Sequence, residues 1–415
     1  MKSRGRKRGF QMSMNDTPRS ERIHIAFFGK RNAGKSSLVN RVTSQQMSIV
    51  SEVRGTTTDP VVKSMELLPL GPVVITDTPG FDDEGDLGEM RVKKTREILG
   101  RTDTAVLVAD ASQGLTECDR QLLALFKEQE IPYLLAWNKT DLTGEVQPED
   151  SVAKEDQICV SALTGEHVEE LKQAIARVAA RSGAAKERSL IGDLIRPMDL
   201  VILVIPIDFA APKGRLILPQ VQVLRDALDH GARAMCVRES ELAQTLASLP
   251  EKPALVITDS QAFGAVSQIV PDDVPLTSFS ILMARYKGAL KVQLSGVRAL
   301  KELQDGDRIL ISEGCTHHRQ CGDIGTVKLP AWIREYSGKQ LTFETSSGLS
   351  FPDDLRPYAV IVHCGACMLN EKEVAARNRR ALEQGIPITN YGMVIAEVNG
   401  ILDRALRVIP KEDQE

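Results

Sequence analysis

A chain of 415 residues is longer than one hydrophobic core supports, so two or three domains are expected. Hydrophobic residues make up 42% and charged ones 26%, an ordinary soluble balance, and the formal net charge of −4 gives no overall bias toward nucleic acid or an anionic membrane. No apolar run reaches the length of a membrane span and no apolar stretch follows the N-terminal charges, so the expectation is a cytoplasmic protein without membrane or secretory segments, whose seven cysteines serve as metal ligands or core residues rather than disulfides.

Residues 1–20 begin with Lys2, Arg4, Arg6, Lys7 and Arg8, lack periodicity and read as a disordered basic tail. Translation starting at Met12 or Met14, and a nucleic-acid-binding arm, are the alternatives for this stretch.

Residues 21–180 carry the first chemical module. Ile23–Phe28 is an apolar strand that runs into Gly29-Lys30-Arg31-Asn32-Ala33-Gly34-Lys35-Ser36, and a helical pattern opens at Ser37. This is the phosphate-binding loop pattern G-x-x-x-x-G-K-[ST]. Its glycines let backbone N–H groups turn inward on phosphate oxygens, and the helix N-terminus adds partial positive charge. Lys35 is placed to reach the β- and γ-phosphates and Ser36 to bind Mg²⁺. Asp77-Thr78-Pro79-Gly80 closes the strand Val73–Thr76, with Asp77 facing the metal's hydration shell and Gly80 facing the γ-phosphate. Between them, Thr57 in Gly55-Thr56-Thr57-Thr58-Asp59 is the threonine that completes the metal shell. The strand Tyr133–Trp137 ends in Asn138-Lys139-Thr140-Asp141; the Asp141 carboxylate can accept both N1–H and the exocyclic N–H of guanine, a pair that adenine does not present. Ser161-Ala162 supply backbone groups for guanine O6. GTP, GDP and Mg²⁺ are therefore the expected ligands, with Lys35, Thr57, Asp77 and Gly80 at the chemistry.

These motifs resemble the TrmE–Era group of translation-factor-like GTPases. The resemblance implies that Asn32 stands where potassium-dependent members place an asparagine ligand, so K⁺ is an implied cofactor. Phe81 stands where Ras-like proteins carry the water-positioning glutamine, which implies slow hydrolysis assisted by a monovalent cation or by an acidic residue such as Asp83 or Glu84.

Ala179–Glu187 is small and polar and reads as a linker. Over residues 190–275, Leu200–Ile205, Arg233–Val237 and Ala254–Thr258 read as strands and Leu218–Leu228 and Glu239–Leu246 as helices. This βαβαβ alternation predicts a small parallel sheet. It holds no phosphate loop or titratable cluster, His230 and Cys236 read as structural, and dimerisation is the expected role.

Over residues 276–415, the strand Arg308–Ser312 leads into Gly314-Cys315-Thr316-His317, and the strand Tyr358–Val362 ends in His363-Cys364-Gly365-Ala366-Cys367, with a helix opening at Glu371. Two strands thus end in soft metal ligands, C-x-H and H-C-x-x-C. The small Gly365 and Ala366 allow the tight turn that presents two thiolates to one metal. Cys315, Cys364 and Cys367 supply three thiolates with His317 or His363 near them. On ligand type, Cys₃His zinc and a three-cysteine iron–sulfur cluster remain comparable. Cys118 and Cys159 fit core positions, and Cys321 is either a spare thiol or a loop residue. The expected fold class is α/β: a P-loop GTPase domain followed by two smaller α/β domains with parallel sheets.

The combination resembles the HydF family of [FeFe]-hydrogenase maturation GTPases from about Met14 onward. The resemblance implies that Cys315, Cys364 and Cys367 hold a [4Fe–4S] cluster whose fourth site is labile or filled by a non-cysteine ligand, and that His317 and His363 are the motif histidines. It further implies a homodimer or higher oligomer that carries the di-iron subcluster of the H-cluster to apo-[FeFe]-hydrogenase, with two radical-SAM maturases as further partners. An RNA- or ribosome-directed GTPase with a structural zinc site is the alternative. Residues 281–415 weigh against it, with 18 Lys/Arg against 17 Asp/Glu and no basic stripe.

Overall fold

The computed structural model describes residues 19–43, 61–80, 94–143, 146, 148–181, 189–207, 216–314, 323–348 and 350–414, divided between two units that meet in sequence at Ala184 and Ala185. Thr57, Phe81, Asp83, Glu84, Cys315, His317 and Cys321 lie outside the described residues.

In the first unit, β1 (Ile23–Phe28), β2 (Val61–Leu67), β3 (Gly71–Asp77), β4 (Thr104–Asp110), β5 (Tyr133–Asn138) and β6 (Gln157–Cys159) form one sheet ordered β2-β3-β1-β4-β5-β6. All neighbours are parallel except the β2–β3 hairpin. A parallel sheet buried on both faces reads as an unbroken apolar run, and β4 (TAVLVAD) is buried at all seven positions. Alternate residues serve opposite faces. Ile25 and Phe27 join Leu38 and Val42 of helix Lys35–Thr43 and Leu171 and Ile175 of helix Val168–Arg181. Ala26 and Phe28 join Leu122 and Phe126 of helix Glu117–Glu128, where the two phenyl rings lie 5.3 Å apart. The antiparallel edge strand β2 instead alternates between half-buried and exposed positions as far as Glu66, as expected with one face toward water.

The linker expected to begin at Ala179 starts later, because helix Val168–Arg181 runs on to Arg181. Ala179 is buried in the core and Arg181 forms a bidentate pair with Asp156 at 2.8 Å, so tertiary contacts hold residues that composition alone assigns to a linker.

The second unit contains two four-stranded parallel sheets. β7 (Leu200–Val204), β8 (Arg233–Val237), β9 (Leu255–Thr258) and β10 (Leu276–Ser278) are ordered β10-β9-β7-β8. β11 (Arg308–Glu313), β12 (Thr342–Ser347), β13 (Val360–His363) and β14 (Ile388–Asn390) are ordered β12-β11-β13-β14. The predicted βαβαβ run gains β10, too short for a sequence pattern. Cys236 is exposed on the edge strand β8. One continuous buried cluster joins both sheets, from Ile202 and Val256 through Phe279, Leu294 and Met393 to Ile309 and Val362. The helix Leu290–Arg298 approaches β14 so closely that a Cβ at Gly296 would stand 2.0 Å from the Ile388 carbonyl oxygen. Only glycine permits that approach.

A shared core predicts shared stability. Phe279→Ala, at a 2% exposed site between the sheets, should cost about 3–5 kcal/mol. Hydrogen exchange should then accelerate together at amides of β9 and β13. Acceleration confined to one sheet would show that the two unfold separately.

Candidate functional site

In the first unit the functional side chains stand at the C-terminal ends of β1, β3, β5 and β6. The crevice there opens where the strand order turns back on either side of β1, the usual ligand position in an open α/β sheet. Three residues of the phosphate loop have positive φ: Gly29 at 140°, Asn32 at 63° and Gly34 at 89°. At Gly34 a Cβ would meet Asn138 Nδ2 at 2.2 Å, so the loop closes onto β5 only with glycine there. Asn138, 1% exposed, donates from Nδ2 to the Ala33 carbonyl at 2.9 Å and accepts from the Ala162 N–H at 2.9 Å through Oδ1. One buried amide therefore ties the phosphate loop to the segment expected to read guanine O6.

Lys35 Nζ donates to the carbonyls of Gly29 and Lys30, each at 2.8 Å, within the loop that phosphate oxygens are expected to fill. Ser36 Oγ donates to Asp77 Oδ2 at 2.6 Å. Burial raises the Asp77 pKa, against the Ser36 hydrogen bond and the Lys35 charge that pull it down. Asp77 Oδ1 is buried with no hydrogen-bond partner among the described residues. A hydroxyl beside a buried carboxylate with an unsatisfied oxygen is a donor set that fits Mg²⁺ and its bound water. Asp141 accepts from the Ser161 hydroxyl at 2.5 Å, which orients its carboxylate.

Some supporting residues escape a motif search. Asp110, at the end of β4, accepts from Lys139 Nζ at 2.6 Å. Burial raises its pKa, but the Lys139 ammonium and the Ser112 hydrogen bonds outweigh this and hold it below the usual carboxylate range. Arg41 binds the carbonyls of Ala162 and Leu163 at 2.9 and 2.6 Å. The position of Asp110 at the end of a fully apolar strand was a readable signal; nothing local marked Arg41.

In the second unit the register of β11 against β13 sets Ser312 opposite His363. Both strands end there, and the residues that follow meet: the Cys364 N–H donates to the Ser312 carbonyl at 2.8 Å, and the Gly314 N–H donates to Cys364 Sγ at 3.1 Å. Gly314, the last described residue before Cys315, thus meets the Cys364 turn at the C-terminal ends of β11 and β13. Cys364 and Cys367 are free thiols, and burial pushes both upward in pKa. Binding a soft metal as thiolates would relieve that. Among the described residues no group of three or more His, Cys, Asp or Glu is gathered as a metal site. Cys364 and Cys367 with the adjoining Gly314 fit a thiolate-bound metal on donor type, small-residue spacing and convergence.

His363 is engaged on both ring nitrogens. Arg377 Nη1 lies 2.9 Å from Nε2 and the Cys364 carbonyl lies 2.8 Å from Nδ1, so the neutral ring accepts at Nε2 and donates at Nδ1. Burial, reinforced by the Arg377 guanidinium, pushes its pKa down to about 3. Arg377 itself is held by Glu373 at 3.0 Å and the Gly348 carbonyl at 2.8 Å. In this arrangement His363 links Arg377 to the Cys364 carbonyl at the start of the thiol turn.

Comparison with known proteins follows this division. Residues 24–139 match the model of the 50S ribosome-binding GTPase family, 190–288 the hydrogen maturase F dimerization domain and 291–408 the hydrogen maturase F tetramerization domain. Among curated relatives, the tRNA modification GTPase MnmE of Nitrosomonas europaea is 32% identical over 160 residues, 38% of this chain and 35% of the relative. MnmE of Clostridioides difficile is 33% identical over 175 residues, 41% of this chain and 38% of the relative. The chain thus spans only about a third of the length of these relatives. Of solved structures, a probable GTP-binding protein engB is 24% identical, covering 38% of this chain and 99% of its own at a TM-score of 0.32. Era in complex with MgGDPNP and 16S ribosomal RNA is 20% identical, covering 52% and 91% at 0.34. A GTPase domain followed by both maturase modules, in order between residues 24 and 408, places the chain in the hydrogen maturase F (HydF) family.

Proposed function

We propose that the protein is a cytoplasmic GTP-hydrolysing scaffold and carrier that binds a [4Fe–4S] cluster and delivers the di-iron subcluster of the H-cluster to apo-[FeFe]-hydrogenase. The observation that carries this reading is the meeting of Gly314 with Cys364 Sγ at the shared end of β11 and β13, inside the module matched to the maturase family. Cys315, Cys364 and Cys367 would hold the cluster. When bound, it supplies an iron whose exchangeable fourth ligand can bridge to cargo. Two radical-SAM maturases supply the pieces, and the family modules support a homodimer or a higher oligomer.

On the nucleotide side the residues act as follows. Lys35 exchanges its two loop carbonyls for β- and γ-phosphate oxygens. Ser36, bonded here to Asp77, and Thr57 would hold Mg²⁺, and Asp77 would hold the ion's water through Oδ1. The N–H groups of Ala33, Gly34 and Ser37 line the phosphates, Gly80 faces the γ-phosphate, and Asp141 selects guanine. Turnover is slow and leans on K⁺ through Asn32, which suits GTP as a switch on partner association rather than a source of redox chemistry.

The GTPase-family description favours a second reading, an RNA- or ribosome-directed GTPase with a structural zinc site. Salt-dependent RNA binding at micromolar protein would support it, and the near-equal charge count of residues 281–415 argues against it.

Two sites in separate units predict separable losses. Lys35→Ala should lower GTP turnover by about 100-fold or more and leave bound iron in place. Cys364→Ala should remove the iron and leave turnover standing. Loss of both activities from either substitution in a folded protein would contradict the separation. Asp141→Asn should weaken GTP binding by about 10- to 100-fold and favour xanthine nucleotides. Unchanged GTP affinity in a nucleotide titration would remove Asp141 from base recognition.

A further inference from the structure

The thiol turn is held by a residue from outside its own motif. Ala366, between the two cysteines, has a φ of 53° and is 5% exposed. A residue with a Cβ stays in that left-handed region only where its surroundings impose it. Here the imposing segment is Lys287-Gly288-Ala289, the turn between helix Phe279–Tyr286 and helix Leu290–Arg298. Ala289 packs in a small buried cluster with Ala366, Leu369 and Val374. Lys287 Nζ donates to the Ala366 carbonyl and, at 2.8 Å, to the Leu369 carbonyl, bracketing Cys367 on both sides. The lysine is only 8% exposed.

A buried ammonium is costly to desolvate, and closing a turn needs only a neutral donor. A positive charge is useful at this place for a separate reason: two buried thiolates, or a cluster bound through them, carry negative charge in a low-dielectric setting. Lys287 ends the stretch matched to the dimerization module, and the turn it grips lies in the stretch matched to the tetramerization module. One side chain thus reaches from the dimerization stretch to the backbone of the thiol turn in the tetramerization stretch.

We propose that Lys287 is a positioning residue of the thiolate site, fixing the Cys364–Leu369 turn through two carbonyls and raising the reduction potential of the bound cluster through its charge. The second half rests on the cluster reading above; the first stands without it.

The test uses the full chain with Lys287→Met, Lys287→Gln and Lys287→Arg. In metal-free protein, amide hydrogen exchange over residues 364–370 should accelerate about tenfold or more in the methionine variant and stay near wild type in the glutamine and arginine variants, which keep a donor. After reconstitution, an EPR-monitored redox titration should show a more negative potential for the methionine and glutamine variants and a near-native one for arginine. Unchanged exchange in the methionine variant would overturn the positioning role. An unchanged potential in the glutamine variant, or an equal shift in arginine, would overturn the charge role. If the methionine variant does not fold, the glutamine and arginine pair still separates donor from charge. If the wild-type chain takes up no iron–sulfur cluster, the proposed function falls, and the exchange measurement still decides whether Lys287 holds the turn.

Discussion

The pairing of β11 with β13 is the constraint on which the cysteine site depends. Parallel strands in register end together, so whatever follows them meets at the same end of the sheet. Ser312 opposite His363 fixes that register, and a slip of one residue would turn the Cys364 thiol to the other face of the sheet. The Gly314 N–H reaching Cys364 Sγ at 3.1 Å follows directly from it. The same logic builds the nucleotide site, where β1, β3 and β5 end at the phosphate loop, Asp77 and Asn138.

The two sites use buried charge in opposite ways. Around the phosphate loop the protein supplies donors and cationic ends for an anion, and the buried Asp77 carboxylate with its unsatisfied Oδ1 awaits a cation. At the thiol turn the groups around two buried thiols are instead donors: the Gly314 N–H on Cys364 Sγ, the Arg377 guanidinium on His363, and the Lys287 ammonium on the turn's carbonyls. In both places polar side chains bind neighbours of the same site: Ser36 with Asp77, Lys35 with its own loop, His363 with Arg377.

The phosphate loop and the N-K-x-D segment were legible because each pattern is contiguous in sequence, and the structure brings the two together through the Asn138 amide. Apolar runs such as IHIAFF and LVILV likewise announced largely buried parallel strands. What escaped was non-local or weakly patterned. β10 and β14 are three residues each, and β12 (TFETSS) is a largely polar edge strand without alternation. Lys287 meets its acceptors 79 and 82 residues away, across a fold that no local pattern reveals. The core shared by the two C-terminal sheets escaped for the same reason, since strand patterning reports burial but not the partner.

The central claim is that the shared C-terminal end of β11 and β13 holds an iron–sulfur cluster. The most direct measurement is iron, acid-labile sulfide and zinc counted on the full chain after anaerobic reconstitution, with the EPR spectrum of the reduced protein. The account predicts about four iron and four sulfide per chain and a reduced-cluster signal. Stoichiometric zinc with no iron and no signal would contradict it.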